Sequence, residues 1–445
     1  MWAYVYMSTT RIEVFSARID RSVPCSPADA QPPLQAGCNN RLVATRHKIT
    51  DEQRRSRLAL RQRLAPSTRT NDVAAITDSA VALHSSDPSS VYLSALARMK
   101  HPSIEAVSAA LYDERTIVRH HAMRRTLWVF RPPMARWAHA ACTTGLASAQ
   151  WNRLVQMVGD SGFADDGAAW VASARSDTLA ALASMGPATA RQLGKAVPAL
   201  NEKLRLAAGK SYAATQGAHT RVLLNLGFDG AIVRGRPSGA WNTSEYPWVL
   251  SERWLPGGII GAEPVDVNVA AAELARAYIA QFGPATTADL QWWAGWTMAT
   301  TRRTLAAIGA VEVDLDNGVG WVLADAIADA GADAGAGPWI AFLPALDPTT
   351  MGWKERSWYL DEHGTFGRSL FDRNGNAGPT IWLDGHVVGG WAQRKSGEIA
   401  YQLLVDVPKK RLGEIATEAE RLRSLIGDVR VNVRFPAPMQ KDLLT

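Results

Sequence analysis

The chain has 445 residues, more than one hydrophobic core usually holds, so the sequence predicts several domains. Its hydrophobic fraction of 47% and charged fraction of 20% are typical of a soluble globular protein, and no apolar run is long enough to span a bilayer. The cysteines Cys25, Cys38 and Cys142 lack CxxC spacing, which argues against a zinc site or a disulfide framework, and the net charge of +6 weakly favours a polyanionic partner. We expect a cytoplasmic protein with reduced thiols.

Residues 1–48 carry scattered prolines and no sustained periodicity, and we interpret them as a disordered arm or an over-extended start of the reading frame. A helix is predicted from Thr50, which precedes Gln53 by three residues in a capping-box spacing. Two interpretations of its basic residues remain open, a solvated face or a phosphate-facing one. These residues are Arg54, Arg55, Arg57, Arg61 and Arg63.

An internal repeat is the most informative feature of the sequence. Residues 186–193 read GPATARQL and residues 283–290 read GPATTADL, and each copy follows an apolar helical run. In each copy glycine ends the preceding helix, and Thr189 or Thr286 is placed to cap the next one. The third residue after the threonine, glutamine in one copy and aspartate in the other, can complete a reciprocal cap.

Strand-like segments follow each copy of the repeat, AIVRGRPSGAWNTSEYPWVL in one and GAVEVDLDNGVGWVLAD in the other. Helix, short turn, helix and β-hairpin is the element order of a winged helix. A more degenerate copy precedes the two, with helical segments followed by TIVRHHAMRRTLWVFRP, which alternates like a hairpin of strands. The predicted winged-helix units cover residues 49–150, 151–267 and 268–330.

The segment 338–435 follows an Ala/Gly/Asp linker and has a different pattern. Four of its stretches, WIAFLPALDP, TIWLDGHVVGGWAQ, EIAYQLLVDV and DVRVNVRF, have strand character, and KKRLGEIATEAERLRSLI is helical. This pattern predicts a small β-barrel or sandwich with one helix packed on it. The predicted fold class is therefore α+β, with tandem winged-helix units followed by a small C-terminal β-barrel.

Motifs for metal or nucleotide chemistry are missing from the sequence: it has no Walker loop, no GxGxxG after a strand, no GxSxG elbow and no HExxH. His120 and His121 are adjacent, so on a strand they point to opposite faces and cannot both bind one metal ion. We expect neither a metal nor a cofactor.

The turn LHSSDP, Leu83–Pro88, lies between two predicted helices of the first unit. The run LHSSDPSSVYLSALARM, then LYDERTIVRHHAMRRTLWVF, the GPAT units and LPALDPTTMGWKERSW resemble, in this order, the AlkZ/YcaQ-like winged-helix DNA glycosylases over roughly residues 50–435. The resemblance implies tandem winged helices with a β-barrel and the metal-free removal of alkylated or crosslinked bases. Where that family has Gln-x-Gln or Gln-x-Asp, this chain has His84-Ser85-Ser86, and only the following Asp87-Pro88 matches.

The resemblance makes His84, Ser86 and Asp87 the candidate catalytic residues. His84 is suited to orient or deprotonate a water molecule, Ser86 to hydrogen-bond it, and Asp87 to stabilise a sugar cation. A structural interpretation of each residue remains open. Asp87 before Pro88 also fits a helix N-cap, and Ser86 also fits a plain turn residue. His84 is predicted to end a helix, where the dipole favours imidazolium and opposes a general-base role, and where its side chain also fits a group that binds the last carbonyls.

Candidate DNA-binding residues are arginines on the expected hairpins and helix starts. They are Arg119, Arg124 and Arg125 around the first hairpin, Arg234 and Arg236 in the second, and Arg302 and Arg303 in the last helix of the third unit. Most of the 17 tryptophans should be core residues, although Trp128 or Trp241 is a candidate for stacking on an exposed base.

These observations favour a monofunctional, cofactor-free DNA glycosylase that excises alkylated bases from duplex DNA. Two alternatives remain open, a non-catalytic winged-helix regulator or architectural protein, and a protein-interaction scaffold that has lost DNA binding. In the leading hypothesis the partner is double-stranded DNA, no membrane or metal is involved, and the protein is associated with the nucleoid. The oligomeric state stays open, with a monomer favoured.

Overall fold

The computed structural model describes residues 46–206, 214–327, 335–361, 365–434 and 436–445. Helices and short strands are interspersed along these ranges, in agreement with the predicted α+β class. No helix within these ranges is both long and apolar enough to cross a membrane. The arm predicted over residues 1–48 lies outside the described residues as far as residue 45, and so do Cys25 and Cys38.

Helix α1, Asp51–Arg61, begins at the predicted capping box, in which Thr50 and Gln53 exchange hydrogen bonds. Its arginines bind carbonyl groups of distant segments. Arg55 donates to the carbonyl of Trp358 at 2.7 Å, and Arg61 donates to that of Gly283 at 2.8 Å. The basic face of α1 is therefore an internal contact surface, which neither of the two open interpretations anticipated.

The first unit follows α1 and is built around a three-stranded antiparallel sheet of order β1-β3-β2. Side chains of Asp72, Asp87 and Ser103 cap its three central helices, which is why each helix begins where it does. The hairpin predicted around residues 118–130 is confirmed. Its elements are α2 Val73–Ser79, β1 Leu83–His84, α3 Pro88–Leu96, α4 Ile104–Tyr112, β2 Val118–Ala122, β3 Thr126–Phe130 and α5 Pro132–Ala138.

The second unit contains two long helices, a short capped helix, and two separate antiparallel hairpins. It has its own apolar core, to which Val222, Leu226 and Trp248 contribute. Its elements are α6 Thr144–Ser161, α7 Gly167–Met185, α8 Ala190–Ala196, β4 Lys203–Leu206, β5 Ala214–Gly217, α9 Ala218–Phe228, β6 Ile232–Arg234, β7 Trp248–Leu250 and α10 Ser251–Trp254.

The third unit is three helices followed by one hairpin, whose strands pair in register from Ala310 opposite Leu323 to Leu315 opposite Gly318. Its elements are α11 Val267–Phe282, α12 Thr287–Ala294, α13 Met298–Ala307, β8 Ala310–Leu315 and β9 Gly318–Leu323.

Both GPAT segments start their helix with the same reciprocal cap. Gln192 N–H donates to Thr189 Oγ1, and Thr189 N–H donates to Gln192 Oε1. Thr286 and Asp289 exchange the corresponding bonds in the third unit. The caps predicted from the repeat are therefore confirmed in both copies.

The residue before each capping threonine pairs with a tryptophan of the hairpin that closes its unit. Ala188 exchanges two backbone hydrogen bonds with Trp248, of 3.0 and 2.8 Å, and Ala285 exchanges two with Trp321, of 3.2 and 2.8 Å. The first unit is built in the same order, because β1 follows α2, precedes α3 and pairs with the last strand of its hairpin, β3. The repeated sequence thus corresponds to a repeated pairing pattern.

The C-terminal segment folds around a four-stranded antiparallel sheet of order β10-β11-β12-β13. This sheet is open, so the barrel predicted for residues 338–435 does not close among the described residues. The predicted helix is confirmed, whereas residues 428–434 form no strand. The elements are β10 Ile340–Leu343, α14 Pro348–Met351, α15 Gly367–Leu370, β11 Thr380–Leu383, β12 His386–Gln393, β13 Ile399–Leu403, α16 Lys409–Ile426 and α17 Pro438–Leu444.

One apolar core joins the first unit, the helices of the third unit and the C-terminal sheet. A buried ion pair lies within it, with Arg98 Nη2 2.8 Å from Asp347 Oδ1 and both side chains fully buried. Ser94 donates to Asp347 at 2.6 Å, and Arg98 also donates to Thr349 at 2.7 Å. The charges are therefore satisfied by hydrogen bonds, as buried charges must be. This network fixes α3 against the LPALDP segment.

Candidate active site

The turn from His84 to Asp87 is held between β1 and α3. His84 lies on β1, directly opposite Trp128 on β3. Its ring lies 4.7 Å from the Trp128 ring, and the side chain is only 4% exposed. Because α2 ends at Ser79, His84 does not end a helix, and the idea that a helix dipole holds it as imidazolium was wrong.

Burial, and to a smaller extent the nearby Arg124, lowers the pKa of His84 to about 3. The imidazole is therefore neutral at pH 7. Its Nδ1 accepts a hydrogen bond of 3.3 Å from the Ser86 N–H. A neutral imidazole of such low pKa is a weak proton acceptor, but it remains able to orient a water molecule by hydrogen bonding.

The two serines bind residues near the start of β3 and the start of β2. Ser85 N–H donates to the Leu127 carbonyl at 2.8 Å, and Ser86 Oγ accepts from the Leu127 N–H at 3.4 Å. Ser85 Oγ accepts a hydrogen bond of 3.0 Å from Arg119 Nε, whose guanidinium also binds the Tyr112 hydroxyl at 2.5 Å. The predicted DNA-binding residue Arg119 is therefore part of the support of the turn.

Asp87 is the N-cap of α3, followed by Pro88 at the first helical position, so the structural interpretation of this pair is correct. Its Oδ1 accepts from Ser89 N–H at 3.0 Å and from Ser89 Oγ at 2.6 Å. Its Oδ2 accepts from the Arg434 N–H at 3.2 Å. The side chain is 4% exposed and lines a crevice with essentially no enclosed volume, with Ala345, Leu346, Asn376, Ala377, Val433 and Arg434 as the other lining residues.

Aromatic side chains flank the turn on the side of α3 and α4. Tyr92 contacts Trp241 with ring centroids 5.1 Å apart and ring planes tilted by 46°, and its hydroxyl lies 3.1 Å from Ser108 Oγ. Burial raises the pKa of Tyr92 to about 12. Trp241, a predicted base-stacking residue, is half-buried, whereas Trp128 is 1% exposed and is not accessible to a base.

The arginines at the tip of the first hairpin diverge. Arg124 has a left-handed backbone and stacks 4.0 Å from the ring of Trp292 on α12, so this part of the hairpin contacts the third unit. Arg125, also left-handed, is exposed. Of the three DNA-binding residues predicted around the first hairpin, Arg119, Arg124 and Arg125, it is Arg125 that is exposed to solvent.

The arginines of the second hairpin contact nearby side chains. Arg234 lies 4.3 Å from the Tyr246 ring. Arg236 pairs with Asp113 at 2.6 Å, and both side chains of this pair are at least half exposed. An exposed pair of this kind contributes little to stability and is open to exchange with another anion.

Arg302 and Arg303 are both exposed on α13, the third helix of the third unit. Thr297 caps the helix. The structure does not bring them together with the turn, and no contact places them in the candidate site. Like Arg125 and Arg236, they are predicted DNA-binding residues at exposed positions.

Metal-binding residues do not cluster in the described ranges, where no group of three or more His, Cys, Asp or Glu is placed to hold an ion. His120 Nε2 lies 3.1 Å from His139 Nδ1, whereas His121 stacks on Phe228, so the two adjacent histidines do point to opposite sides. Burial raises the pKa of the Cys142 thiol to about 12, which keeps it protonated.

Three contributors to the site were missed in the sequence. Ser85 and Tyr112 complete the network of Arg119, and Arg434 reaches the turn from the C-terminal segment. The LHSSDP motif could have indicated Ser85, because it lies within that motif. No local pattern indicates Arg434, which stands far from the turn in sequence.

The family model described as DNA glycosylase AlkZ-like matches residues 77–425. Since this range is most of the chain and contains the turn and both GPAT segments, the chain belongs to the AlkZ-like DNA glycosylase family. No curated protein matched it significantly.

Among solved structures, the chain is similar to Streptomyces sahachiroi DNA glycosylase AlkZ, with a TM-score of 0.62 and 18% sequence identity. The match covers 86% of this chain and 98% of that chain. At this identity the likeness concerns the fold.

Proposed function

We propose that the protein is a monofunctional DNA glycosylase that hydrolyses the glycosidic bond of alkylated bases in duplex DNA. The observation that carries the proposal is the family match, because it includes the buried turn His84–Asp87 and its neutral imidazole. DNA would be the partner, as the family implies.

Three winged helices are the DNA-binding scaffold in this proposal. Each unit contains a helix, a residue paired with a hairpin tryptophan, a capped helix, a third helix and a hairpin. This order is that of a winged helix. The proposed units correspond to the predicted ranges 49–150, 151–267 and 268–330, except that α6, which begins at Thr144, belongs to the second unit and α11, which begins at Val267, belongs to the third.

The chemistry begins with a substrate that is already activated. A purine alkylated at a ring nitrogen is cationic, so the bond from C1′ to the base is weakened and the base leaves with the bonding electrons as a neutral molecule. A water oxygen then bonds to C1′, and its proton passes to solvent or to a carboxylate. The protein needs to orient the water and to stabilise positive charge on the sugar.

His84, Ser86 and Asp87 divide these tasks in the proposal. The neutral His84 orients the water through a ring nitrogen, taking over the function that a carboxamide would have in the family signature. Asp87 places a negative charge in the crevice and stabilises the sugar cation, although one of its oxygens also caps α3. Ser86 adds a hydroxyl next to both residues.

A second candidate function is a non-catalytic, winged-helix DNA-binding protein. One observation favours it: Asp87 and Ser86 already bind backbone N–H groups, which reduces their freedom to act on a substrate. A regulator of this kind would prefer one undamaged sequence and release no base.

The test is a single-turnover assay of base release from duplexes containing N7-alkylguanine, with undamaged duplex as control. We expect release by the parent protein and by His84→Gln, which retains a hydrogen-bonding group, but not by His84→Ala. A well-placed group of this kind contributes about 10²-fold or more. Duplex affinity should be the same in all three proteins. If His84→Ala releases base like the parent, the proposed site is wrong.

A further inference from the structure

The C-terminal segment brings a cation to the candidate turn. The family match ends at residue 425, and Arg434 lies beyond it. Its main-chain N–H donates to Asp87 Oδ2 at 3.2 Å, and its Nη1 lies 3.4 Å from the Ser86 carbonyl oxygen. Arg434 is thus joined to both predicted catalytic neighbours of His84 by separate groups.

The segment holding Arg434 is anchored on both sides. Val431 N–H donates to the buried Gln393 at 2.8 Å. Further on, Ala437 is fully buried, and Gln440, 1% exposed, accepts from the Ala437 N–H at 3.0 Å. The main chain is therefore held by hydrogen bonds at Val431 before Arg434 and at Ala437 after it, in addition to the bond of Arg434 itself to Asp87.

Arg434 is an exposed residue at the rim of the crevice. A planar guanidinium with several N–H donors matches the oxygens of a phosphodiester better than those of most other ligands. A nucleotide rotated out of the duplex brings its own phosphates with it, and its sugar would have to reach the crevice for water attack to occur there.

We infer that Arg434 binds the backbone phosphate next to the extruded nucleotide and holds that sugar against the turn. The inference rests on the proposed function, since it takes the turn as the place of reaction. It assigns the C-terminal segment a role in substrate binding in addition to packing on the sheet.

The test measures duplex affinity as a function of salt, with fluorescence anisotropy of two probes. One is an undamaged duplex, and the other carries a single stable abasic-site analogue, in which no base opposes extrusion. Removing one phosphate contact should reduce the slope of log affinity against log salt by about 0.9. We expect Arg434→Gln to show this reduction on the abasic duplex and not on the undamaged one.

Two further variants complete the experiment. Arg434→Lys keeps the charge and should retain the slope of the parent. Arg423→Ala removes an exposed arginine of α16 that pairs with Glu420, and it should change neither slope. Side-chain replacement leaves the main-chain bond from Arg434 to Asp87 in place.

An unchanged slope for Arg434→Gln on the abasic duplex would overturn the inference, as would an equal reduction on both duplexes. The result does not depend on base release. A parent protein that binds the abasic duplex but releases no base contradicts the proposed function and leaves the assignment of Arg434 to be decided by the slopes.

Discussion

His84 lies opposite Trp128 across β1 and β3, with the two rings 4.7 Å apart and inclined by 60°. In the other two units the residue paired with the hairpin tryptophan is alanine, Ala188 or Ala285. The first unit therefore carries an imidazole where its two relatives within the chain carry a methyl group. This difference places a polar ring under the indole, with Ser86 as its hydrogen-bond partner.

Acid should destabilise the protein through its buried histidines. The pKa of His84 and that of His121 are each lowered to about 3, mainly by burial. In the unfolded chain these groups take up protons near their ordinary pKa of about 6.5. Since the unfolded state then binds more protons, stability is highest above pH 6.5 and falls continuously down to about pH 3.

Each such histidine should lower the free energy of unfolding by up to about 1.4 kcal/mol for each pH unit that the pH falls between about 6.5 and about 3. Urea unfolding of His121→Gln at several pH values measures this contribution. The free energy of unfolding of this variant should fall less steeply with decreasing pH than that of the parent, by up to the same amount per pH unit. His101→Gln, at an exposed position, is the control and should follow the parent. Parallel curves for His121→Gln and the parent would contradict the prediction.

Arg119 should act by positioning the turn. In Arg119→Gln the bonds to Ser85 and Tyr112 are lost, which should lower the free energy of unfolding by about 1.5–3 kcal/mol, as for other hydrogen bonds of charged groups. Misplacement of the turn should slow single-turnover base release by up to about 10²-fold. Duplex affinity and its salt dependence should not change.

Arg131→Ala is a matched control, because Arg131 follows β3 and forms only a half-exposed pair with Asp78. It should affect release and stability little. A reduced salt slope for Arg119→Gln would instead make Arg119 a phosphate-binding residue, as the sequence suggested.

The two reciprocal caps should differ in energy. Asp289 is fully buried and accepts hydrogen bonds from Thr286 and also from the main-chain N–H groups of Lys354 and Glu355, both at 2.8 Å. Gln192 in the other copy is exposed. Asp289→Ala should cost about 3 kcal/mol or more, because it leaves several buried donors unsatisfied, whereas Gln192→Ala should cost about 1 kcal/mol or less.

Chemical denaturation of the two variants makes this comparison directly. Asp289→Asn adds an isosteric variant, and its loss in the free energy of unfolding should lie between the losses of the other two. Equal costs for Asp289→Ala and Gln192→Ala would mean that the contact of α12 with residues 354 and 355 adds no stability.

Arg302 and Arg303 should bind DNA phosphates. Their joint replacement by alanine should reduce the slope of log affinity against log salt by about 1.8, corresponding to two contacts. Both side chains are exposed, so stability should stay within about 0.5 kcal/mol of the parent. Lys409→Ala with Lys410→Ala, an exposed basic pair at the start of α16, is the control. An unchanged slope in the arginine variant would exclude phosphate contacts by α13.

Local patterns predicted the parts of the fold that depend on neighbouring residues. The capping box of Thr50, the two GPAT caps and helix α16 follow from side chains three or four positions apart, and all are present. The predicted barrel does not close among the described residues, since closure depends on pairing between distant strands, which alternation along one strand does not specify. Strand character in residues 428–434 likewise did not produce a strand.

The turn of the candidate site could be predicted from the sequence, but the residues that surround the turn could not. The Asp-Pro pair indicated the start of α3, but the sequence placed His84 at a helix end, since two residues of strand are too short to leave a pattern. The arginines of α1 and Arg434 bind groups more than 200 positions away. Contacts of that separation leave no trace in the spacing of residues.

The ion pair of Arg98 and Asp347 lies at the C-terminal end of the helix that Asp87 caps, and together with the bond from Ser94 to Asp347 it joins that helix to the C-terminal segment. A turn supported in this way has little freedom to travel towards a base inside a stacked double helix. The necessary distortion would therefore fall on the nucleic acid, and lesions that already weaken stacking or pairing would reach the protein at the lowest energetic cost.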